Sequence, residues 1–243
     1  MLFKILLIVA LSLELFATGF PMYYYNIKSS KKQKQEFIKI LLPLVEKSNG
    51  KVLLERRFVQ DFFLKAQKNS FRGLDEKSLR RLIHLYRKYK IHNLFNAEEY
   101  LKKIDIVPVS LAIAQGAIES GWAKSRFILE ANNIFGQWTY TGKGLVPTDR
   151  AEGKTHTLRI YKTLQGSVDS YVLNLNRNNA YKALRDLREN AHKNGTIFNG
   201  LMASKAMIKY SQRGGEYVKL LDSIITSNNL LYYDYESSLR NSL

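Results

Sequence analysis

An apolar helical run that ends in a carboxylate organises this sequence. Val107-Pro108 breaks the chain before it, because a residue preceding proline is pushed out of the helical region. Ser110 can cap a new helix, and residues 110–120 read SLAIAQGAIES. Leu111, Ala114, Ile118 and then Trp122 fall on one stripe, while Gln115 and Glu119 are four apart and share another face. Gly121 stands where a left-handed residue closes a helix, which puts Glu119 in the last turn. The partial negative charge of a helix C-terminus disfavours a carboxylate there and raises its pKa. Burial against the indole of Trp122 would act in the same direction. A raised pKa is what a general acid requires near neutral pH. On this segment alone, an exposed helix-terminal Glu that tolerates an adverse dipole fits equally well.

The chain before this run has helical periodicity from Glu36 to about Lys103. In EFIKILLPLVEKSNG, the residues Phe37, Ile40, Leu41, Leu44 and Val45 recur at three and four. Pro43 is expected to kink this helix and Asn49-Gly50 to end it. VLLERRFVQDFFLKAQ and DEKSLRRLIHLYRKYK each carry another amphipathic stripe, whose Lys and Arg read mostly as a solvated outer face. From Gln137 to Tyr161 the period changes. QWTY, the turn TGKG, LVPT, the turn DRAEGK and THTLRIY predict a small antiparallel β-region. Helical patterns return over residues 167–176, 181–188, a short segment ending at Tyr210, and 216–227. The expected architecture is α+β, predominantly α, with one small β-lobe. The expected divisions are residues 1–27 as leader and tether, 28–105 as an N-terminal helical region, 106–232 as the main domain and 233–243 as a C-terminal tail.

The first residues, MLFKILLIVALSLELFATGF, place Lys4 before an apolar stretch, Ile5 to Leu13, that is short for a membrane span. With small residues at Ala17 and Gly19, this reads as a secretory signal peptide or an uncleaved N-terminal anchor; a buried N-terminal helix is the alternative. Export places the protein in the periplasm or cell envelope, with a possible tether to the inner membrane. A formal net charge of +17 asks for an acidic partner: nucleic acid, anionic lipid or an anionic wall polymer. Export and the lack of a nucleic-acid motif argue against the first, and no protein partner is indicated. The absence of Cys excludes a disulfide framework, a thiolate metal site and a Cys nucleophile. His84, His92, His156 and His192 have no metal-ligand spacing, so neither a metal nor another cofactor is expected.

LAIAQGAIESGWAKSRFILEANNIFGQW resembles the opening motif of the bacterial glucosaminidases of glycoside hydrolase family 73, most closely the Bax-type subgroup. That pattern runs Ala-Gln-x-x-x-Glu-Ser-Gly-Trp, then Ser-Arg-Phe, then Asn-Asn-aliphatic-Phe-Gly. The chain supplies it from Ala114 to Gly136 in order and in register. EFIKILLPLVEKSN, GLVPTDRAEGKTH, YVLNLNRNNAYKALRDLR and MIKYSQRGGEYVKLL extend the resemblance over roughly residues 33–230. The resemblance implies a lysozyme-like fold and hydrolysis of the β-1,4 bond after N-acetylglucosamine in peptidoglycan glycan strands. It assigns the general acid to Glu119 and a catalytic tyrosine to Tyr210, whose phenol would hold the acetamido group or a water. Gln115, Asn133, Phe135, Trp138 and Tyr140 are the expected substrate-binding residues, with core packing an equal reading for Phe135.

A second catalytic group is less defined. Hydrolysis needs an activated water, a nucleophile or the substrate's own acetamido group opposite the acid. Asp149 in TDRAEGK aligns best with an acidic position that some members carry, and Glu152 is the alternative. The His-Glu common in the following strand of the subgroup is His156-Thr157 here. Two further functions share parts of the pattern. A muramidase or lytic transglycosylase also presents a helix-terminal Glu-Ser, and a non-catalytic wall-binding protein would keep the fold.

Overall fold

The computed structural model of the chain describes residues 19–140, 144–147, 156–210 and 214–242. The leader residues 1–18, and Asp149 and Glu152 of the β-lobe turn, lie outside the described residues. The fold is α+β and predominantly α, lysozyme-like, with a small antiparallel sheet. A short helix α1 (Met22–Tyr25) leads into α2 (Ser30–Lys68), then α3 (Glu76–Lys88), α4 (Ala97–Lys103), α5 (Val109–Ser120) and α6 (Arg126–Ala131). Strands β1 (Trp138–Thr139), β2 (Gly144–Leu145) and β3 (Thr157–Arg159) follow, with β3 in the centre of the sheet. The chain closes with α7 (Leu164–Arg177), α8 (Lys182–Lys193), α9 (Gly200–Ser204), α10 (Gly215–Ser227) and α11 (Leu231–Ser242). Among the described residues, no helix is long and apolar enough to cross a membrane.

Helix α5 is the axis of the molecule. Residues 109–117 are all buried, and α2, α9, α10 and α11 pack against it. A helix buried all round needs apolar or small side chains on every face, which is the composition of VSLAIAQGA. Gly116 lets α2 approach: a Cβ there would stand 2.8 Å from Leu41 Cδ2 and 3.2 Å from Ile134 Cγ2. The first turn of α5 is capped from the far end of the chain. Asp234 of α11 accepts from Ser110 N at 3.0 Å and from the Ser110 hydroxyl, and its second oxygen also accepts from Gly200 N at 2.9 Å. Burial pushes the Asp234 carboxyl up, while these donors pull it back. Ser110 thus lies inside the helix and is itself capped by Asp234 of α11.

The N-terminal segment differs from expectation in two places. Asn49-Gly50 does not end α2, which runs from Ser30 to Lys68 over 39 residues with Pro43 inside it. Asn49 is buried, and its amide exchanges two bonds with the backbone of Val107 at 2.8 and 3.1 Å. Its polarity serves a tertiary clasp rather than a helix stop. Phe20 and Tyr24, within the stretch grouped above with the leader, are buried; Phe20 stacks on Phe37, and Tyr24 donates its hydroxyl to Trp122 O at 2.6 Å. The helices before α5 and those after it share one apolar core, from Phe20 to Leu230.

A buried ion cluster joins α2 and α8 to the entry of α5. Asp105 accepts from His192 Nε2 at 2.8 Å and lies 3.5 Å from Arg56 and 3.6 Å from Arg188. Burial alone would raise its carboxyl, but Arg188, His192 and Arg56 outweigh that and hold it at about 2. Arg188 is fully buried and also donates to the carbonyls of Lys102, Asp105 and Ile106, so its protons are well used.

Candidate active site

Helix α5 ends in a left-handed turn that aims Glu119. Gly121, Trp122 and Ala123 have φ of 56, 56 and 60°, three consecutive residues in a region that only glycine visits freely. Ser120 supports this turn. Its buried hydroxyl donates to Gly116 O at 2.6 Å and accepts from Ala123 N at 2.8 Å. Trp122 N bonds back to Ala117 O at 2.8 Å.

Glu119 is half-buried in a pocket of phenols. Tyr217 of α10 donates to its Oε1 at 2.8 Å. Tyr210 stacks on Tyr217 with ring centres 5.4 Å apart and donates to Phe135 O at 3.4 Å. Tyr171, Tyr181, Tyr210 and Tyr217 all have their phenols pushed up, first by burial and also by the nearby Glu119 charge. Burial raises the Glu119 carboxyl above the ordinary range for Glu, and the Tyr217 bond pulls it partly back. The direction agrees with that argued for the helix terminus, but the source differs. The Trp122 ring packs on α2, with Phe37 at 5.2 Å and Lys34 Nζ at 5.0 Å, so it braces the turn while tyrosines supply the apolar wall.

The loop NNIFG closes the other side. Asn132, at φ 52°, ends α6 and ties to the carbonyls of Tyr161 and Lys162. Asn133 donates to the carbonyls of Gln137 and Arg159 at 2.8 and 2.9 Å and accepts from Gln137 N at 2.9 Å. These bonds hold the loop against the sheet. Gly136, at φ 60°, lies beside the acid: a Cβ there would be 3.8 Å from Glu119 Oε2.

The expected substrate-binding residues divide into two sets. Gln115, Asn133 and Phe135 are 0, 1 and 2% exposed and do not line a groove with their side chains. Asn133 spends its amide on the loop, and Phe135 stacks flat on Tyr171 at 3.9 Å beneath it. Gln115 lies between Tyr171 and Tyr217. Trp138 of β1 and Tyr140 just after it, by contrast, are 51 and 80% exposed, and Trp138 packs on His156 with ring centres 3.6 Å apart. Flat exposed rings of this kind suit the apolar face of a sugar. Tyr210 stands near Glu119 as expected, whereas Asp149 and Glu152 lie outside the described residues. Sequence reasoning missed Tyr217, the one side chain bonded to the acid among the described residues. Tyr217, Leu221 and Ile225 form a buried stripe of α10, so Tyr217 reads as core. A hydroxyl on such a stripe needs a buried partner, and that was the available signal. Among the described residues, no three His, Asp or Glu side chains converge as metal ligands would.

Residues 95–230 match the family model described as mannosyl-glycoprotein endo-beta-N-acetylglucosaminidase. The chain is similar to Protein bax of Escherichia coli (strain K12), with 25% identity over 214 residues that cover 86% of this chain and 70% of that protein. No solved structure matches.

Proposed function

Since the chain belongs to the mannosyl-glycoprotein endo-beta-N-acetylglucosaminidase family and so to the glycoside hydrolases, we propose that it cleaves the β-1,4 bond after N-acetylglucosamine in peptidoglycan glycan strands, with Glu119 as general acid. The observation that carries this reading is the half-buried Glu119 carboxyl, raised by burial, bonded by Tyr217 and beside Gly136, two residues before the exposed Trp138. A carboxyl whose pKa is raised by burial is better placed to give its proton to the leaving glycosidic oxygen as the bond to C1 breaks. Tyr210, whose phenol is pushed up by burial and by the Glu119 charge, is the proposed holder of the acetamido group or the water that follows. Asp149 is the proposed partner on the β-lobe, where it would activate that water.

The positive charge of the chain supports adhesion to a wall polymer that bears peptide carboxylates, with salt-sensitive contacts. The leader supports export to the cell envelope. Removal of a signal peptide would stop before Gly19, since Phe20 and Tyr24 belong to the core.

The test is digestion of purified sacculi, borohydride reduction and mass spectrometry of the released ends. Reduced glucosamine ends are expected. Reduced muramic acid or anhydro ends would replace the reading with muramidase or lytic transglycosylase chemistry. Binding to sacculi without release would replace it with a non-catalytic wall-binding role. Asp149→Asn is expected to lower release by about a hundredfold. Full activity in that variant and in Glu152→Gln would assign the second role to the substrate's acetamido group.

A further inference from the structure

Glu119 has two oxygens, and only one can serve the sugar. Oε1 accepts from Tyr217 at 2.8 Å. Oε2 has no hydrogen-bond partner among the described residues and lies beside Gly136, at the loop that faces the β-lobe. The Tyr217 hydroxyl in turn accepts from Gln115 Nε2 at 3.1 Å, and Gln115 Oε1 accepts from the Tyr171 hydroxyl at 2.6 Å. All three bonds have the same polarity. The chain begins at a fully buried phenol of α7, locked by the stacked ring of Phe135, and ends at the acid. Gln115 and Glu119 occupy successive turns of one face of α5, so the spacing of four that marks the sequence motif is also the spacing of the relay.

We propose that Gln115 and Tyr217 are positioning residues that select the oxygen of Glu119 carrying the transferable proton: the Tyr217 bond, directed by Gln115, occupies Oε1 and keeps the proton on Oε2. This rests on the reading of Glu119 as the general acid. A neutral Gln amide between two phenols sets the direction. Because its Nε2 donates to Tyr217, the Tyr217 hydroxyl must spend its own hydrogen on Glu119. The opposite polarity would flip the amide and make Tyr217 accept from a protonated Oε1. The acid proton would then point into the core, away from any substrate.

The relay acts on both sides of the proton transfer. Before it, Oε2–H is the only acidic hydrogen on the carboxyl. During it, the proton passes to the glycosidic oxygen, the C1–O bond breaks with its electrons on that oxygen, and Glu119 becomes a carboxylate. The Tyr217 bond then stabilises the new charge at Oε1. A water adds its oxygen to C1, its proton passes to the group that activates it, and proton exchange with solvent restores the Glu119 carboxyl. The titratable groups that bear on Glu119 among the described residues are Tyr171 on α7, Tyr181 before α8, Tyr210 before α10 and Tyr217 on α10. Tyr217 is the one bonded to the acid, so its removal has a defined sign.

The experiment compares wild type, Tyr217→Phe and Gln115→Met. Each is assayed for kcat and KM on sacculi against pH, and the Glu119 carboxyl is titrated by carbon-13 NMR, assigned by its absence in Glu119→Gln. Loss of the Tyr217 donor destabilises the carboxylate. The Glu119 titration and the alkaline limb of kcat/KM are therefore both expected to move up by about one pH unit in Tyr217→Phe. Its kcat should fall roughly tenfold with KM within about twofold. Gln115→Met should move both readouts in the same direction by less. A merely structural role would lower kcat and leave the limb and the carbon-13 titration in place. That result, or a shift to lower pH, overturns the relay. Full activity of Glu119→Gln, or no release by wild type, overturns the general-acid reading instead. The carbon-13 titration decides the relay's bonding in either case.

Discussion

Glu119→Gln separates the two things that the carboxyl does to this molecule. Gln keeps the shape and can still accept from Tyr217 through its amide oxygen, but it has no acidic proton. Release from sacculi should fall by about 10²–10⁴-fold, the range for loss of a general acid. The effect on stability has a definite sign. Burial raises the folded-state pKa of Glu119 above its unfolded value. Below the unfolded pKa both states hold the proton, and the group is neutral in its effect. As pH rises between the two values the folded state holds more protons than the unfolded one, so stability falls. Above the folded pKa the full deficit is present, about 1.4 kcal/mol for each pH unit by which the carboxyl is raised. The neutral isostere removes that deficit. Urea unfolding at pH 7 should therefore find Glu119→Gln at least as stable as wild type, and the difference should vanish near pH 4. The same m-value in both proteins would confirm that the native state has not loosened. A variant that is less stable at pH 7 than at pH 4, relative to wild type, would refute the reasoning. It would mean that the fold stabilises the carboxylate rather than strains it.

The buried ion cluster makes the opposite prediction. Asp105→Asn leaves the fully buried Arg188 without its countercharge and should lower stability by about 3–5 kcal/mol, read as a urea midpoint shift. Because Asp105 is depressed to about 2 from 3.8, its contribution of about 2.5 kcal/mol is present above pH 4 and fades as pH falls toward 2; wild type and Asp105→Asn should converge over that range. On the exposed side, Trp138→Ala should weaken pelleting on sacculi about fivefold, equivalent to about 1 kcal/mol of ring contact, while unfolding stays within about 0.5 kcal/mol of wild type. Unchanged pelleting would remove the sheet from the glycan surface.

What could be read from sequence follows the range over which each feature acts. Pro108 and Gly121 act locally through φ, so both ends of α5 and the terminal position of Glu119 were legible. The β-lobe was legible too, because QWTY, LVPT and THTLRIY lie between turn signals, although β2 begins at Gly144, inside the expected turn; their pairing places β3 between the other two. The errors occurred where a tertiary partner overrode local grammar. Asn49-Gly50 reads as a stop, but Asn49 is claimed by the Val107 backbone across 58 residues. Trp122 follows the acid in sequence, but the left-handed turn carries its ring to α2. Gln115 and Asn133 look like sugar ligands because they are amides near an acid, yet both are consumed inside the protein. Tyr217 is 98 residues from Glu119, so the bond between them has no local signature.

The Ser that follows the Glu has a reason in backbone geometry. Two non-glycine residues, Trp122 and Ala123, hold positive φ immediately after the acid, at a cost on the order of 1–2 kcal/mol each. Something must hold the turn against relaxation, and the Ser120 hydroxyl is placed to do it. It bonds both the last full turn of α5 and the Ala123 N–H. Tyr24 adds a third hold through Trp122 O, which draws the segment before α2 into the support of the site. Ser120→Ala would leave the Ala123 N–H buried without a partner, about 1–3 kcal/mol of lost stability. The turn would also lose the bond that opposes its relaxation, so Glu119, one residue upstream, would shift away from Tyr217. The expected signature is a kcat loss of tenfold or more with KM little changed, because Trp138 stands on a separate element, β1, and Tyr140 follows it. If Ser120→Ala lost stability and kept its full kcat, the strained turn would matter only to the fold, and the aim of Glu119 would be set by its burial among the tyrosines alone.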